Sequence, residues 1–236
     1  MQLARKIWLD DSGKNDKWIK EALRLIGGAF PDGKHENWAV CQLLLAHVKA
    51  VTAYDLHVAD DLLTKANILH NLAWYLWLKG DYQLSKLKIG QAVEIKKRHL
   101  NKDNPSLLAS MGLYGMVLSS QGQYEESEQV QRQTIMLEEK VLGLEHLHTL
   151  ISMNNLSTVL SDQGKYEEAE KMHRQTMKLM EKVLGLEHPH TLMSLNNLGG
   201  VLSMQGKYEE AEQMEAEAMY QRAPAGNGRH WTTRRR

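Results

Sequence analysis

One stretch of sequence recurs along this 236-residue chain at a spacing of 42 residues. The segment LGLEHPHTLMSLNNLGGVLSMQGKYEEAEQM at residues 184–214 matches VLGLEHLHTLISMNNLSTVLSDQGKYEEAEKM at residues 141–172. A Gly-x-Tyr turn marks four copies, which begin at Gly80, Gly122, Gly164 and Gly206. A fixed period of about 20–50 residues is typical of repeat architectures, in which each unit buries its apolar face against its neighbours. The chain is therefore predicted to fold as a repeat array.

Each copy has the pattern of two helices, as the last copy shows. Pro189 suits the first turn of a helix, where its missing N–H would have no partner within the helix. Apolar residues then recur at spacings of three and four, and Gly206 follows them as a residue able to adopt the left-handed conformation that ends a helix. Tyr208 begins the second helix, and glutamates in its first turns complement the helix dipole. The apolar stripe consists of Leu192, Leu195, Leu198, Val201 and Leu202.

Small residues occupy the same positions of successive copies, and each position that recurs every 42 residues is called a slot below. One slot of the first helix and two slots of the second helix hold only Gly, Ala, Ser or Thr. Such residues let two helices approach closely, so these slots indicate packing within a helix pair rather than chemistry. The three slots hold Ala73, Gly115, Ser157 and Gly199; Ser85, Ser127, Ala169 and Ala211; and Ala92, Thr134, Thr176 and Ala218.

The predicted organisation is all-α, a right-handed superhelix of about five helix pairs. Four repeats fill residues 56–222, at about 62–100, 105–142, 147–184 and 189–222. Residues 15–55 form a degenerate first pair, because GKHENW from Gly33 matches the template GKYEEA, although Gly33 precedes Gly80 by 47 residues. Residues 1–14 are predicted to be a helical junction segment, and the Gly-rich, basic residues 223–236 a disordered tail.

Composition excludes several classes of protein. The chain has 29 basic and 29 acidic residues, so it offers no general electrostatic attraction for nucleic acid or an anionic membrane. No run approaches the roughly 18 apolar residues of a membrane span, and the first residues do not form a signal peptide. A single cysteine, Cys41, suits a reducing compartment, so the expected location is cytoplasmic.

No pattern for catalysis, a cofactor or a metal is found. The YEEAE carboxylates recur on exposed first turns rather than in a pocket, and no nucleophile–base arrangement accompanies them. His146 with His148 and His188 with His190 form HxH pairs that could hold zinc. Both pairs also belong to the repeated segment that precedes a helix, and this second interpretation is favoured. The chain is therefore predicted to be neither an enzyme nor a metalloprotein.

The pattern Leu-x-x-Leu-small followed by Gly-x-Tyr-x-x-Ala resembles the tetratricopeptide repeat. The 42-residue period and the motif LGxEHPxTLxSxNNLxxVLxxQGKYEEAE resemble the kinesin-light-chain type of that repeat, over residues 56–222. In residues 1–54, QLARKIWLDD and AFPDGKHENWAVCQLLLAHVKAV are similar to the junction that precedes such repeats in fungal NLR-like proteins with an NB-ARC domain. The sequence has no GxxxxGK[ST] phosphate loop, so the resemblance implies the repeat arm of such a protein rather than its nucleotide-binding part.

In the family that the chain resembles, the first helix of each pair lines a concave groove, and asparagines there bind the backbone of an extended peptide. An amide suits this role because it offers both a donor and an acceptor. The same asparagines could instead bond the neighbouring repeat, and both interpretations stand. No Lys or Arg occupies these positions, which argues against repeats of the carboxylate-binding kind. The predicted groove residues are Asn71, Trp74, Asn154, Asn155, Thr158, Met193, Asn196 and Asn197.

The function implied is a non-catalytic scaffold that binds a peptide segment or partner protein through the concave surface. The alternative is a self-assembling sensor or regulatory arm of an NLR-like system, which would form homo-oligomers through its last helix, Tyr208 to Arg222. Expected partners are therefore proteins or peptides, or a second copy of the chain. Nucleic acid, membranes and cofactors are not expected.

Overall fold

A computed structural model describes residues 14–222, and all regular secondary structure in that range is helical. The predicted junction segment up to residue 13 and the predicted disordered tail at 223–236 lie outside the described residues. The chain divides into two compact units between Val130 and Gln131. Each unit is described by itself.

The first unit contains five complete helices and one short 3₁₀ helix. They are α1 (Lys14–Ala29), the 3₁₀ helix (His35–Asn37), α2 (Trp38–Thr52), α3 (Ala59–Leu78), α4 (Tyr82–His99) and α5 (Pro105–Ser120). Helix α6 (Tyr124–Val141) crosses the division between the units. The second unit continues with α7 (Leu147–Asp162), α8 (Tyr166–Leu184), α9 (Pro189–Met204) and α10 (Tyr208–Arg222). The all-α class is as predicted, whereas the division into a degenerate pair and four repeats stays a prediction.

The four turn glycines have the backbone conformation that the sequence predicts. Gly80, Gly122, Gly164 and Gly206 have φ values of 83°, 74°, 77° and 77°. This left-handed region is strained for residues with a Cβ atom, so glycine is the residue that can end the first helix and start the second within two or three positions. The prediction that a glycine in the left-handed conformation ends the first helix of each pair is confirmed.

The small slots lie where paired helices approach each other. Ser85 on α4 is fully buried and donates its hydroxyl to the carbonyl oxygen of Ala73 on α3, at 2.8 Å. Ser127 on α6 makes the same bond to Gly115 on α5, at 2.7 Å. In the second unit Ala169 fills this slot and is fully buried without needing a hydrogen bond. The slot accepts serine as well as alanine, because the hydroxyl of a serine at this position donates to a main-chain oxygen of the partner helix.

Gly33 differs from the glycine that it matches in sequence. It does not have positive φ, and a Cβ atom built on it would lie 2.4 Å from the main-chain nitrogen of Tyr75. Glycine is therefore required at this position for close approach to α3 rather than for a left-handed turn. After Gly33 the chain enters the short 3₁₀ helix before α2 begins. The match of GKHENW to GKYEEA is thus one of sequence and not of backbone conformation.

Each unit has its own apolar core. In the first unit, residues from α1, α2 and α3 form one cluster with Phe30. In the second unit, α7 and α9 contribute leucines to three smaller clusters against α8 and α10. The largest cluster contains Leu23, Phe30, Cys41, Val48, Val51, Ile68, Leu72, Tyr75 and Leu76. Across residues 14–222, none of the helices is both long and apolar enough to span a membrane.

Candidate functional site

Six of the eight predicted groove residues come together in the second unit, on α7 and α9. These two helices contact each other, and each is the first helix of its pair. Helix α7 carries Asn154, Asn155 and Thr158, and helix α9 carries Met193, Asn196 and Asn197. Asn154 is buried, which contradicts its prediction as a ligand-binding residue; the surface formed by the other five residues, together with the adjoining buried Asn154, is called the amide face below.

The asparagines of the amide face have two different environments. Asn154 is 2% exposed, and its side-chain oxygen accepts a hydrogen bond from Nδ2 of Asn197 at 3.4 Å. Asn155 and Asn196 are half-buried, and within the described part of the chain neither side chain has a hydrogen-bond partner. The contacts between repeats therefore involve Asn154 and Asn197, whereas the amides of Asn155 and Asn196 are free to bond another molecule.

The remaining two residues of the amide face are exposed. Thr158 donates its hydroxyl to the carbonyl oxygen of Asn154 at 3.2 Å, a bond within α7, and the residue is exposed. Met193 is 38% exposed. A flexible thioether beside free amides provides a surface that can bind both the backbone and an apolar side chain of a ligand.

The other two predicted residues, Asn71 and Trp74, lie on α3 in the first unit. Asn71 donates from Nδ2 to the carbonyl oxygen of Phe30, at 3.2 Å. This bond ties α3 to the end of α1 and supports a structural role for Asn71. Trp74 is half-buried and packs edge-to-face on His70, with ring centroids 6.3 Å apart.

A buried polar network, which the sequence reasoning missed, lies beside these residues in the first unit. Lys96 on α4 is 3% exposed and donates from Nζ to the hydroxyl of Ser110, at 2.9 Å, and to the carbonyl oxygen of Ser106, at 3.1 Å. Nδ1 of His70 lies 3.1 Å from the same Ser110 hydroxyl. Lys96 forms no ion pair within residues 14–222. Burial lowers its pKa to about 8, and burial together with the nearby Lys96 charge lowers the pKa of His70 to about 4.

A comparison of the same slot in successive repeats could have identified Lys96 as a buried residue. The slot of Lys96 holds Glu138 in the next copy and Met180 in the one after, both almost fully buried. Burial raises the pKa of Glu138, while a hydrogen bond from Ser152 acts in the opposite direction. A slot that accepts methionine is a core slot, so a charged residue there is a buried charge. The predicted groove residues all lie on first helices, so the prediction did not include Lys96 of a second helix.

We expect Lys96→Met to raise the free energy of unfolding at pH 7 by about 1–3 kcal/mol. The methionine of the equivalent slot shows that the side chain fits, and a buried charge without a counter-ion is replaced by an apolar group. The parent should also gain stability as the pH rises from 7 to 10, because a lysine whose pKa is lowered by folding favours the folded state when neutral. Urea denaturation at several pH values measures both effects. A Lys96→Met variant that is less stable than the parent at pH 7 would contradict this account. So would a variant whose free energy of unfolding still rises between pH 7 and pH 10.

The histidine pairs occur at helix N-termini, as the favoured interpretation expects. Nδ1 of His146 accepts from the main-chain N–H of His148 at 3.2 Å, and His188 accepts from His190 at the same distance. Each pair stacks its rings, with centroids 5.5 and 5.4 Å apart. The first histidine of each pair is therefore an N-cap, a role in which a side-chain acceptor satisfies a free N–H of the first turn.

Known proteins are similar to this chain over the same repeats. The Tetratricopeptide repeat family matches residues 106–182 and 148–222. A nucleotide-binding leucine-rich repeat (NLR)-like protein of Hyaloscypha variabilis is 36% identical over 111 residues. That match covers 47% of this chain but 11% of the relative, so the chain spans only a small part of that protein's length.

Two solved structures show the same fold. One is that of kinesin light chain nearly identical TPR-like repeats from Podosopora anserina, with a TM-score of 0.63 and 23% identity, over 90% of this chain and 97% of that one. The other is BtubC (BKLC) from P. vanneervenii, with a TM-score of 0.69 and 18% identity, over 95% and 94% of the two chains. Identities this low show the fold alone. Residues 106–222 therefore belong to the tetratricopeptide repeat family, and the fold of the chain is the helical-repeat fold of kinesin-light-chain-like proteins.

Proposed function

We propose that the chain is a non-catalytic scaffold that binds an extended peptide segment of a partner protein on the amide face. The observation that supports this proposal is the pair of half-buried amides, Asn155 and Asn196, which have no hydrogen-bond partner within the described residues. A half-buried amide that bonds neither protein nor ligand loses part of its hydration without compensation. A peptide backbone supplies the donor and acceptor that each amide requires.

The surroundings of these amides support a protein ligand more than a small molecule. The face is open and is formed by helix surfaces rather than by a closed pocket. Thr158 and Met193 offer small apolar contacts beside the amides, and neither carries a charge. The ligand segment is therefore expected to be uncharged where it crosses this face. The buried thiol of Cys41 is consistent with the proposed cytoplasmic location.

Replacing the free amides should weaken peptide binding without lowering stability. The test uses a peptide selected on the purified chain from a random display library, with affinity measured by isothermal titration calorimetry. Asn155→Ala and Asn196→Ala should each weaken binding by about 1 kcal/mol, the net contribution of one neutral hydrogen bond. The double variant should show close to the sum if the two contacts are independent. The melting temperature of each variant should stay that of the parent.

Two further variants separate the binding role from the structural one. Asn154→Ala should lower the melting temperature, because it removes the buried acceptor of the Asn197 bond. Asn101→Ala changes an exposed asparagine in the turn before α5 and serves as the matched control. Full affinity in a folded Asn155→Ala, Asn196→Ala double variant would exclude the amide face as the binding site. A large fall in its melting temperature would assign these amides to repeat packing instead.

A further inference from the structure

Ion pairs join consecutive repeats in the second unit, and two of them recur at the repeat period. Arg132 on α6 pairs with Glu168 on α8 at 2.5 Å, and Arg174 on α8 pairs with Glu210 on α10 at 2.5 Å. The two pairs are separated by one 42-residue period. A third pair joins Lys207, in the turn before α10, to Glu170 on α8 at 2.7 Å. In the first two pairs the earlier repeat supplies the arginine, whereas in the third pair the earlier repeat supplies the carboxylate.

Glu170 shows how strongly such a carboxylate can be bound. It is contacted by Lys207 and, within α8, by Arg174 at 2.8 Å. Hydrogen bonding to Lys207, followed by the bond to Arg174, lowers its pKa to about 2, against the effect of partial burial. The slot of Glu170 therefore marks the place where the acidic edge of one repeat receives a basic group of the following repeat.

In α10 the same slot holds Glu212, which is exposed and has no ion-pair partner in the described part of the chain. Tyr208 is 65% exposed, whereas its counterpart Tyr166 in the previous copy is half-buried. The sequence of α10 contains five glutamates and one arginine. Among the described side chains of α10, Glu209 and Glu212 thus form an exposed acidic edge, and Tyr208 adds an exposed aromatic ring.

Helix α1 has the complementary character. It contains four basic and two acidic residues. Trp18 and Leu25 are 58% and 56% exposed, and their seven-residue separation places them on one face of the helix. Lys17 and Arg24 directly precede them and line the same stripe, with Arg24 also bonded to Glu21 on its own helix at 2.7 Å. The exposed face of α1 is therefore apolar, with Lys17 and the Arg24–Glu21 ion pair at its border and Asp60 and Asp61 of α3 nearby.

We propose that two copies of this chain associate head to tail, with α10 of one copy against α1 of the other. The acidic edge with Tyr208 and Glu212 then meets Lys17, Trp18 and Leu25, in the way that Glu170 meets the Lys207 cation of the next repeat. Such a contact is heterologous, so it leaves one α1 and one α10 free and can continue to longer assemblies. This inference does not depend on the amide face, which lies on other helices.

Sedimentation velocity of the purified chain over a range of concentrations tests the association. The weight-average mass should rise with concentration at 50 mM salt and fall toward the monomer at 500 mM salt, since exposed charges are screened. Glu212→Lys alone and Lys17→Glu alone should each shift the association at least fivefold to higher concentration. Glu181→Lys, the same charge change at an exposed position of α8, should have no effect. Circular dichroism checks that each variant is folded.

Mixing the two edge variants is the decisive experiment. Glu212→Lys keeps a native α1 and Lys17→Glu keeps a native α10, so an equimolar mixture should associate where each variant alone is monomeric. A parent chain that stays monomeric at every concentration would overturn the proposal. So would an assembly that neither edge variant weakens, or a mixture that behaves as the sum of its components. Loss of peptide binding at the amide face, by contrast, would leave these results unchanged.

Discussion

Leu156→Ala should lower the free energy of unfolding by about 2–5 kcal/mol, the range observed for truncation of large core residues. Leu156 is 1% exposed and packs with Leu160, Ala169 and Val201, so one side chain joins helices α7, α8 and α9. Removing it deletes contacts within one helix pair and between that pair and the next. Chemical denaturation followed by circular dichroism gives the change.

A second variant, which enlarges a small core residue instead of truncating a large one, tests the same packing. Ala169 is fully buried in the small slot of α8, and Ala169→Leu should destabilise by about 1–3 kcal/mol through overpacking. Leu87→Ala, at a residue that is 54% exposed on α4, is the surface control and should change stability little. Parental stability in both core variants would show that the assigned inner face of α7 and α8 is wrong.

Acidification should destabilise the chain through two buried histidines, His70 and His173. His173 is fully buried on α8, and burial lowers its pKa to about 4; the pKa of His70 is lowered to about the same value. A histidine whose pKa falls on folding stabilises the folded state above its unfolded pKa, near 6.5, and this contribution is lost as the pH falls toward 4. Each should therefore contribute a loss of about 2 kcal/mol between pH 7 and pH 5.

His173→Ile separates this effect from general acid denaturation. The slot of His173 holds the fully buried Ile89 two copies earlier, so isoleucine suits the position. Neither ring nitrogen of His173 has a hydrogen-bond partner among the described residues, so the substitution leaves no new unpaired group. Urea denaturation at pH 7 and pH 5 should show a loss smaller by about 2 kcal/mol in the variant. An undiminished loss of stability in His173→Ile between pH 7 and pH 5 would refute the assignment.

The helix-pair fold could be predicted from the sequence because it depends on local chemistry that repeats. Gly164 and Gly206 end helices because of backbone conformation, which the residue itself determines, and Pro189 begins α9 for a similar reason. The small slots could also be predicted, since Ala169 or Ser127 at a fixed period indicates close packing of paired helices. These features involve residues that are near in sequence or equivalent by period.

The sequence did not distinguish the asparagines of one repeat from those of another. Asn155 and Asn197 share a slot, yet the Asn197 side chain bonds Asn154 and the Asn155 side chain bonds no described residue. Asn71, in the same slot, bonds the main chain at Phe30, 41 residues away along the chain. Whether the side-chain amide of an asparagine has a hydrogen-bond partner depends on which polar groups the neighbouring helix places near it. The binding role proposed for Asn155 and Asn196 therefore stays a prediction until it is measured.

The repeat period by itself determined that this chain forms stacked helix pairs, because only stacking can bury the apolar stripe that each copy carries. Tertiary structure alone decided the environment of the side chains that depart from the repeat. It places the ammonium of Lys96 against Ser106 and Ser110, and it packs Gly33 against the backbone of α3. The physical reason is that a side chain's burial and partners depend on atoms from other helices. The period sets which positions face inward, but not which polar groups meet there.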